Sequence, residues 1–282
     1  MKRPTNMTNY HSHCSFCDGR ASMEDFVKEA IRQGFTSYGI SSHAPLPFPT
    51  RWTMERKDVP AYLEEIHRLK QQYDAEIEIY AGMEIDYLDA GSNPAIEYFQ
   101  QLPLDYRIGS VHLLESLEDG LVDIDAPVGR FKVILPVYFG NDLKGMVQKY
   151  FDKLMAMVET GGFDILGHAD KMSYNASCCD PSLLEAPWYN RLIKEYFSLV
   201  ASKGIMVEIN TKAYNDTGIF FPHVKYFPLL RDLHIPVLVN SDAHFPARIN
   251  NGRQEALEAL KANGIPAVME LHQGKWEETP IG

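Results

Sequence analysis

Strand-like and helix-like segments alternate along almost all of this 282-residue chain, and no other feature limits its fold as strongly. Each short apolar run that is typical of a buried strand is followed by an amphipathic run that is typical of a helix, with short connections. Seven such strand–helix units predict a parallel sheet with right-handed crossovers, and this number favours a closed or nearly closed barrel. A doubly wound open sheet is the competing architecture.

The predicted boundaries follow from apolar periodicity and from helix signals, such as Ser22 before the first helix and Gly34 after it. Because no Ser/Gly-rich linker divides residues 1–282, we expect a single domain, with residues 115–136 as an insertion containing strand-like pieces and residues 265–282 as a C-terminal tail. The predicted strands are 9–13, 37–43, 77–87, 106–114, 163–170, 204–212 and 235–244. The predicted helices are 22–33, 59–73, 94–101, 142–159, 188–203, 224–234 and 253–263.

The composition argues against several classes of protein. A content of 45% hydrophobic and 23% charged residues is typical of a globular protein. No apolar run approaches the roughly 18 residues that a membrane span needs, so we expect no membrane partner. A formal net charge of −11 argues against a nucleic-acid polymer as partner, because phosphate backbones bind to basic faces. Four cysteines are too few for a disulfide scaffold, which predicts a cytoplasmic location.

Residues of the types that bind metal ions stand at the ends of nearly all predicted strands. Residues two apart on a strand point to the same face, and the carboxyl ends of barrel strands line one mouth, so these side chains should meet. The burial of so many ionisable groups without a metal ion would be costly, and the clustering therefore predicts a metal site. The residues are His11, His13, His43, Glu84, His112, His168, Asp242 and His244.

A simpler interpretation exists for any one of them, because a single histidine at a strand end is more often a hydrogen-bonded structural residue. Cys14 and Cys17 have the spacing of zinc ligands, but the other two cysteines, Cys178 and Cys179, are adjacent and poorly placed to share one tetrahedral ion. We interpret these thiols as buried or incidental. The histidines that we do not predict as ligands are His67, His223, His234 and His272.

Six segments, taken in order, carry a family resemblance: YHSHCSFCDG, GISSHAP, GMEIDY, GSVH, GHAD and NSDAH. From His11 to His244 the chain resembles the PHP family (polymerase and histidinol phosphatase). The sequence motifs SFCDG, SSHAP and EINT resemble those of the histidinol-phosphatase branch more than those of the polymerase-associated domains. The resemblance implies an α/β fold of the distorted (β/α)7 TIM-like barrel type, which agrees with the seven predicted units.

The resemblance also implies a trinuclear metal centre, with a division of ligands that spacing alone does not provide. Manganese, iron and zinc all suit mixed imidazole and carboxylate ligands, so we expect three divalent ions of open identity. The implied ligands are His11, His13, Glu84 and Asp242 for the first ion; Glu84, His112 and His168 for the second; and Asp18, His43 and His244 for the third.

Basic residues in the loops after these motifs are candidates to bind a substrate phosphate: Arg20, Lys171, Lys212 and Arg248. Solvated loop cations are the alternative for each of them. The stretch after EINT reads KAYNDTG, where histidinol phosphatases commonly carry a small residue and an arginine, and Lys212 lacks the bidentate grip of arginine. Asp86, Asp170 and Tyr214 are candidate contacts for the amine and imidazole of the substrate.

The resemblance implies a metal-dependent phosphatase of the histidinol-phosphatase type, which converts L-histidinol phosphate and water to L-histidinol and phosphate in histidine biosynthesis. Our hypothesis is that hydroxide held between ions near Glu84 attacks phosphorus, and that Asp242 or His244 assists the leaving alkoxide. Three divalent ions would add six positive charges to a chain of net charge −11. The acidity therefore does not exclude a small phosphate ester as substrate.

Three alternatives stay open at this point. One is a phosphoesterase on the same centre that acts on nucleotides or phosphodiesters, because loops rather than metals choose the substrate. The second is a catalytically silent metal-binding interaction domain, which the complete ligand set argues against. The third is an amidohydrolase-like barrel, which usually has a lysine where Glu84 takes the bridging role. The oligomeric state is not predicted.

Overall fold

The computed structural model describes residues 6–118 and 120–282. Residues 1–5 and Asp119, which falls in the predicted insertion, lie outside the described residues. The strands are β1 Thr8–Asn9, β2 Ser37–Ile40, β3 Glu78–Ala81, β4 Glu84–Asp86, β5 Ile108–Ser110, β6 Leu113–Glu115, β7 Leu121–Asp123, β8 Ile165–Leu166, β9 Met206–Asn210, β10 Val237–Asn240, β11 Ala267–His272 and β12 Lys275–Pro280.

Helices follow the parallel strands, as the alternation predicts. Helix α1 begins with a capping box in which Ser22 and Asp25 satisfy each other's backbone groups, and the chain leaves it through Gly34 at a φ of 80°. The helices are α1 Met23–Arg32, α2 Val59–Gln72, α3 Glu97–Gln100, α4 Val128–Phe139, α5 Leu143–Thr160, α6 Met172–Ser177, α7 Pro187–Lys203, α8 Tyr214–Thr217, α9 Phe227–Asp232 and α10 Arg253–Ala262.

Two parallel sheets together provide the seven predicted strand positions. One has the order β1-β2-β3 and the other the order β10-β9-β8-β5-β4. The third predicted strand is broken between β3 and β4, so that its first half pairs with β2 and its second half with β5. Single parallel bridges, Ser12 with Ala243 and His43 with Glu84, join the two sheets at both edges. The strand order therefore continues around a ring, as expected for a distorted (β/α)7 barrel.

Large aromatic side chains fill the amino-terminal half of this ring. Tyr106 donates its hydroxyl hydrogen to the carbonyl of Tyr10, with a distance of 2.6 Å between the oxygens. A Cβ atom on Gly39 or Gly82 would lie 2.0 or 2.2 Å from Tyr106. Glycine is required at both positions because the tyrosine occupies the space that any side chain would take.

The predicted C-terminal tail is an ordered β-hairpin, β11–β12, which packs against the same end of the ring. The Tyr10 hydroxyl accepts a hydrogen bond from the backbone of Leu271 at 2.7 Å, and Ser37 Oγ donates to the Leu271 carbonyl at the same distance. Glu270 is buried and accepts from the backbone of Asn6. The hairpin thus ties both ends of the chain to the closed end of the barrel.

The predicted insertion contains more regular structure than its sequence suggests. The hairpin β6–β7 begins at the end of the predicted fourth strand and continues into the insertion, and the second half of the insertion belongs to helix α4, which we did not predict. Pro136 is tolerated three residues before the helix end, and α4 buries Phe131, Ile134 and Leu135 at helical spacing. Residues 113–139 are called the β6–α4 segment below. Within the described ranges, no helix combines the length and apolarity that a bilayer crossing requires.

Candidate metal centre

Glu84 lies at the middle of the predicted ligand cluster, at the start of β4. Its Oε2 atom is 2.9 Å from Nδ1 of His43 and 3.2 Å from Nε2 of His11. Its Oε1 atom is 2.9 Å from Nε2 of His168 and 3.5 Å from Nε2 of His112. The two carboxylate oxygens therefore face two different groups of imidazoles, which is the geometry that a carboxylate bridging two ions needs.

The ends of β1 and β10 bring a second set of ligands together. The bridge between Ser12 and Ala243 places His11 and His13 beside Asp242 and His244. Oδ1 of Asp242 is 3.1 Å from Nε2 of His13 and 3.8 Å from Nε2 of His11. These residues lie just beyond the strands, and each pair converges on one site, as predicted.

Asp18 completes a third group next to the loop that follows β1. Its Oδ1 atom is 3.3 Å from Nε2 of His244 and 3.9 Å from Nε2 of His43. Burial raises the pKa of Asp18, but the hydrogen bond from His244 and the nearby His43 outweigh burial and hold that pKa below its usual value. All nine ligands implied by the resemblance therefore converge on one site.

Three overlapping sets of these side chains have potential ligand atoms within 4.8 Å of one another. Metal binding explains these sets better than hydrogen bonding among their own side chains does, because several buried atoms lack a hydrogen-bond partner among the described residues. Examples are Nε2 of His13, Oδ1 of Asp18 and Oε2 of Glu84. The sets are His13, Asp18, His43 and His244; His11, His13 and Asp242; and His43, Glu84 and His112.

Burial also keeps the pKa of His13 well below its usual value, with the neighbouring His244 and His43 adding to the effect. The neutral imidazole is the form that binds a metal ion. The side chain of His13 thus has the protonation state that metal binding requires, and the nine side chains of the site are buried or partly buried and converge.

Two buried carboxylates outside the predicted ligand set orient its histidines. Glu208 on β9 accepts a hydrogen bond from Nδ1 of His11 at 2.7 Å and another from the backbone of His168 at 3.0 Å. Asp86 on β4 accepts from Nδ1 of His112 at 3.0 Å. The bonds to Nδ1 of His11 and His112 fix the tautomer in which Nε2 faces Glu84. An acid inside the otherwise apolar strand MVEIN was the signal that could have identified Glu208.

The placement of Asp86 and Asp170 corrects the sequence interpretation of both as substrate contacts. Asp86 is buried and is occupied by His112. Asp170 is also buried, where it accepts from the backbone of His223 at 3.0 Å and lines a cavity of about 50 Å³ under α6. Burial raises the pKa of Asp170 to about 7. Tyr214 is stacked on Phe220 with 4.4 Å between ring centroids.

The backbone is strained at two of the candidate ligands. His168 has a φ of 25° and Asp242 a φ of 48°, values that are unfavourable for residues other than glycine. Such conformations cost about 1–3 kcal/mol each and persist only where the surrounding structure enforces them. They turn the chain sharply at the ends of β8 and β10, which aims both side chains into the cluster.

Two of the four predicted phosphate-binding cations lie beside the cluster. Nζ of Lys212 is 3.2 Å from Oδ1 of Asp242. Lys171 forms an ion pair with Asp125 of the β6–α4 segment and is only 14% exposed. Arg248 is exposed and contacts Asp216 at 3.4 Å, while Arg20 is exposed and its backbone donates to the carbonyl of His244.

Two further residues were not singled out as part of the site by the sequence. Trp52, in the loop after β2, lies edge-on to His43 and His112, with ring centroids 4.8 and 5.5 Å apart. Cys17 is partly buried, and its Sγ atom is 3.6 Å from Nδ1 of His13. The tryptophan forms an apolar wall of the mouth, whereas the thiol supports a candidate ligand from behind.

Curated relatives extend over nearly the whole chain. A protein named "Probable histidinol-phosphatase" from Deinococcus radiodurans is 23% identical, over 95% of this chain and 98% of the relative. The histidinol-phosphatase of Bacillus subtilis is 22% identical, over 88% of this chain and 97% of the relative.

A solved structure has the same fold. Histidinol phosphate phosphatase from Lactococcus lactis subsp. lactis, complexed with zinc, L-histidinol and phosphate, superposes with a TM-score of 0.76 at 21% identity, over 96% of this chain and 99% of that chain. A family model of the PHP domain matches residues 9–212, which is most of the chain and includes seven of the nine converging ligands. The chain therefore belongs to the PHP domain family.

Proposed function

We propose that this protein is a metal-dependent phosphomonoesterase that hydrolyses L-histidinol phosphate to L-histidinol and phosphate. The observation that carries the proposal is the position of Glu84, whose two oxygens face separate groups of buried histidines. Relatives named histidinol-phosphatases over nearly their full length support the choice of substrate. A cytoplasmic location is part of the proposal, because all four cysteines are free thiols.

We assign three divalent ions to the cluster, in the division that the family resemblance implies. Zinc in the Lactococcus lactis structure makes zinc one candidate, and manganese and iron suit the same ligands. Bound ions would supply an activated water and would neutralise phosphoryl oxygens. Glu84 is the proposed bridging ligand, and Glu208 and Asp86 hold the imidazoles in the orientation that this role needs.

The chain's own cations and acids complete the proposed mechanism. Lys171 and Lys212 lie where they can donate to a phosphate that approaches the cluster, and Lys171 is the better shielded of the two. Hydrolysis breaks the bond between phosphorus and the alcohol oxygen, with water providing the new oxygen, and the leaving alkoxide takes up a proton. Asp242 and His244 are the proposed groups for that transfer, since His244 is the most exposed histidine of the cluster at 15%.

Comparison of three substrates tests this function. The protein is loaded with zinc, manganese or iron, and phosphate release is measured from L-histidinol phosphate, phenyl phosphate and a phosphodiester. We expect a clear preference in kcat/KM for L-histidinol phosphate and little activity on the diester. Equal and slow rates on all three substrates would contradict the proposal, and a preference for the diester would favour the alternative phosphoesterase.

A further inference from the structure

The inference concerns Asp125, an acidic residue that the sequence did not single out. It follows β7 in the β6–α4 segment, and its carboxylate forms an ion pair with Lys171. The side chain of Asp125 is 35% exposed, so it is reachable from the mouth. Lys171 in turn is three residues after His168, one of the candidate ligands. Asp125 thus places an acidic side chain of this segment in contact with Lys171, a proposed phosphate-binding residue.

The backbone holds Asp125 in place from both sides. The amide of Ile124 donates to the carbonyl of His112 at 2.9 Å, which fixes the residue before it to the ligand cluster. The carbonyl of Ala126 accepts from Nδ2 of Asn175 on α6 at 2.8 Å, which fixes the residue after it. Both neighbours are buried, so the position of the Asp125 backbone does not depend on its ion pair.

Positive charges surround Asp125 in the absence of substrate. Burial raises the pKa of Asp125, but Lys171, Lys212 and His112 outweigh this effect and hold the pKa below its usual value. The carboxylate is therefore ionised at neutral pH. It contacts Lys171 and lies within the electrostatic influence of Lys212, the kind of place that an anionic phosphate group would take.

A phosphate bound by Lys171 would change the charges around Asp125. The lysine donates to phosphoryl oxygens in place of Asp125, and the carboxylate is left close to a second anion. A substrate whose remainder is uncharged leaves the Asp125 carboxylate without this partner, whereas a protonated amine or imidazole on the substrate restores one. The anchored backbone prevents the carboxylate from simply turning away with its segment.

We infer that Asp125 is a specificity-determining residue, which selects phosphate monoesters that carry a cationic group and rejects those that do not. This inference rests on the proposed phosphomonoesterase function and adds to it the substrate's positive charge as a recognised feature. The selecting group lies in the β6–α4 segment, outside the metal-ligand motifs.

The test compares wild type with Asp125→Asn and Asp125→Glu in the zinc-loaded protein, with L-histidinol phosphate and phenyl phosphate as substrates. Asp125→Asn is expected to lower kcat/KM for L-histidinol phosphate about tenfold, the size of one charge-assisted hydrogen bond, and to leave unchanged or raise that for phenyl phosphate. Asp125→Glu keeps the charge and should keep the preference. Glu118→Gln, which removes an exposed acid from the same segment, is the matched control and should change neither value.

A fall of equal size for both substrates would overturn the inference, because it would mean that Asp125 only positions Lys171. An unchanged substrate ratio would overturn it as well. Binding of L-histidinol, measured by calorimetry, gives a reading that does not need turnover, and Asp125→Asn should weaken it about tenfold. If wild type hydrolyses neither ester, the proposed function fails, and the binding measurement still decides the role of Asp125.

Discussion

The strand-end cluster and the β6–α4 segment contribute to the same mouth, but they are held by different means. Apart from Asp18, the ligands of the cluster lie on or shortly after strands of the ring, and bridges such as that between Ser12 and Ala243 fix their position. The segment instead forms a hairpin and a helix, and it meets the site through single contacts such as that of Asp125 with Lys171.

This difference separates the residues proposed for metal binding and catalysis from the segment proposed to select the substrate. Side chains such as His11 and Glu84 are almost fully buried and depend on one another, so the loss of one should disturb all. Asp125 of the segment is partly exposed and contacts the site through a single ion pair, so its substitution should alter one property at a time. The following predictions test this contrast, from the largest expected effect to the smallest.

Replacement of Glu84 by Gln should have the largest effect. It removes a charge that both groups of histidines face, so we expect kcat to fall by more than about 100-fold, beyond the range found for outer partners of a ligand. Bound metal, measured per chain by elemental analysis, should fall in parallel. Turnover close to wild type with full metal content would show that Glu84 does not bridge the ions.

Replacement of Glu208 by Gln should weaken metal binding about 10- to 100-fold, because the bond that orients His11 is lost. Chelator competition measures this affinity. Glu270→Gln is the matched control, since Glu270 is equally buried but lies at the closed end of the barrel, bonded to Asn6. The control should lower the Tm without altering metal affinity, and an equal loss of affinity in both variants would contradict the role of Glu208.

Replacement of Lys171 by Ala should affect the substrate and not the metal. The loss of one charge-assisted contact to phosphate predicts a decrease in kcat/KM of roughly tenfold or more. Metal content should stay at the wild-type value, because the cluster does not need this lysine for its geometry. Depletion of metal in Lys171→Ala would mean that the two regions are less independent than their contacts indicate.

Replacement of Val133 by Ser on the outer face of α4 should have the smallest effect. Val133 is 59% exposed, so the free energy of unfolding should change by less than about 0.5 kcal/mol, as judged by denaturant titration. Its neighbour Ile134 is 3% exposed, and Ile134→Ala should cost about 2–5 kcal/mol. Neither change should alter metal affinity, and a large effect of Val133→Ser would indicate a partner on this face.

The same contrast explains what the sequence could predict. Strand periodicity placed His11, His43 and Asp242 at one mouth because the ends of parallel strands meet there whatever the loops do. The family resemblance added Asp18, which no periodicity marks. The seven strand positions were predictable for the same reason as the ligands, since a repeated local pattern carries them.

Features that depend on contacts distant in sequence were not predictable. Pro136 lies inside helix α4, where a proline does not indicate a helix. The C-terminal hairpin is held against the ring by contacts such as the hydrogen bond from Leu271 to Tyr10. The ion pair between Lys171 and Asp125 joins two loops that are distant in sequence, and neither loop sequence indicates that the other lies beside it. The sequence marked Asp86 as a candidate substrate contact, but only its hydrogen bond to His112 shows that it orients a candidate ligand.

Ring closure between β1 and β10 has a consequence for the newly made protein. His11 and His13 are synthesised well before Asp242 and His244. The amide of Tyr10 receives its hydrogen-bond partner, the side chain of Asn240, only when β10 has been made. Metal capture by the complete ligand set is thereby coupled to the synthesis of β10 and the residues just after it, and a chain that lacks them cannot assemble the centre.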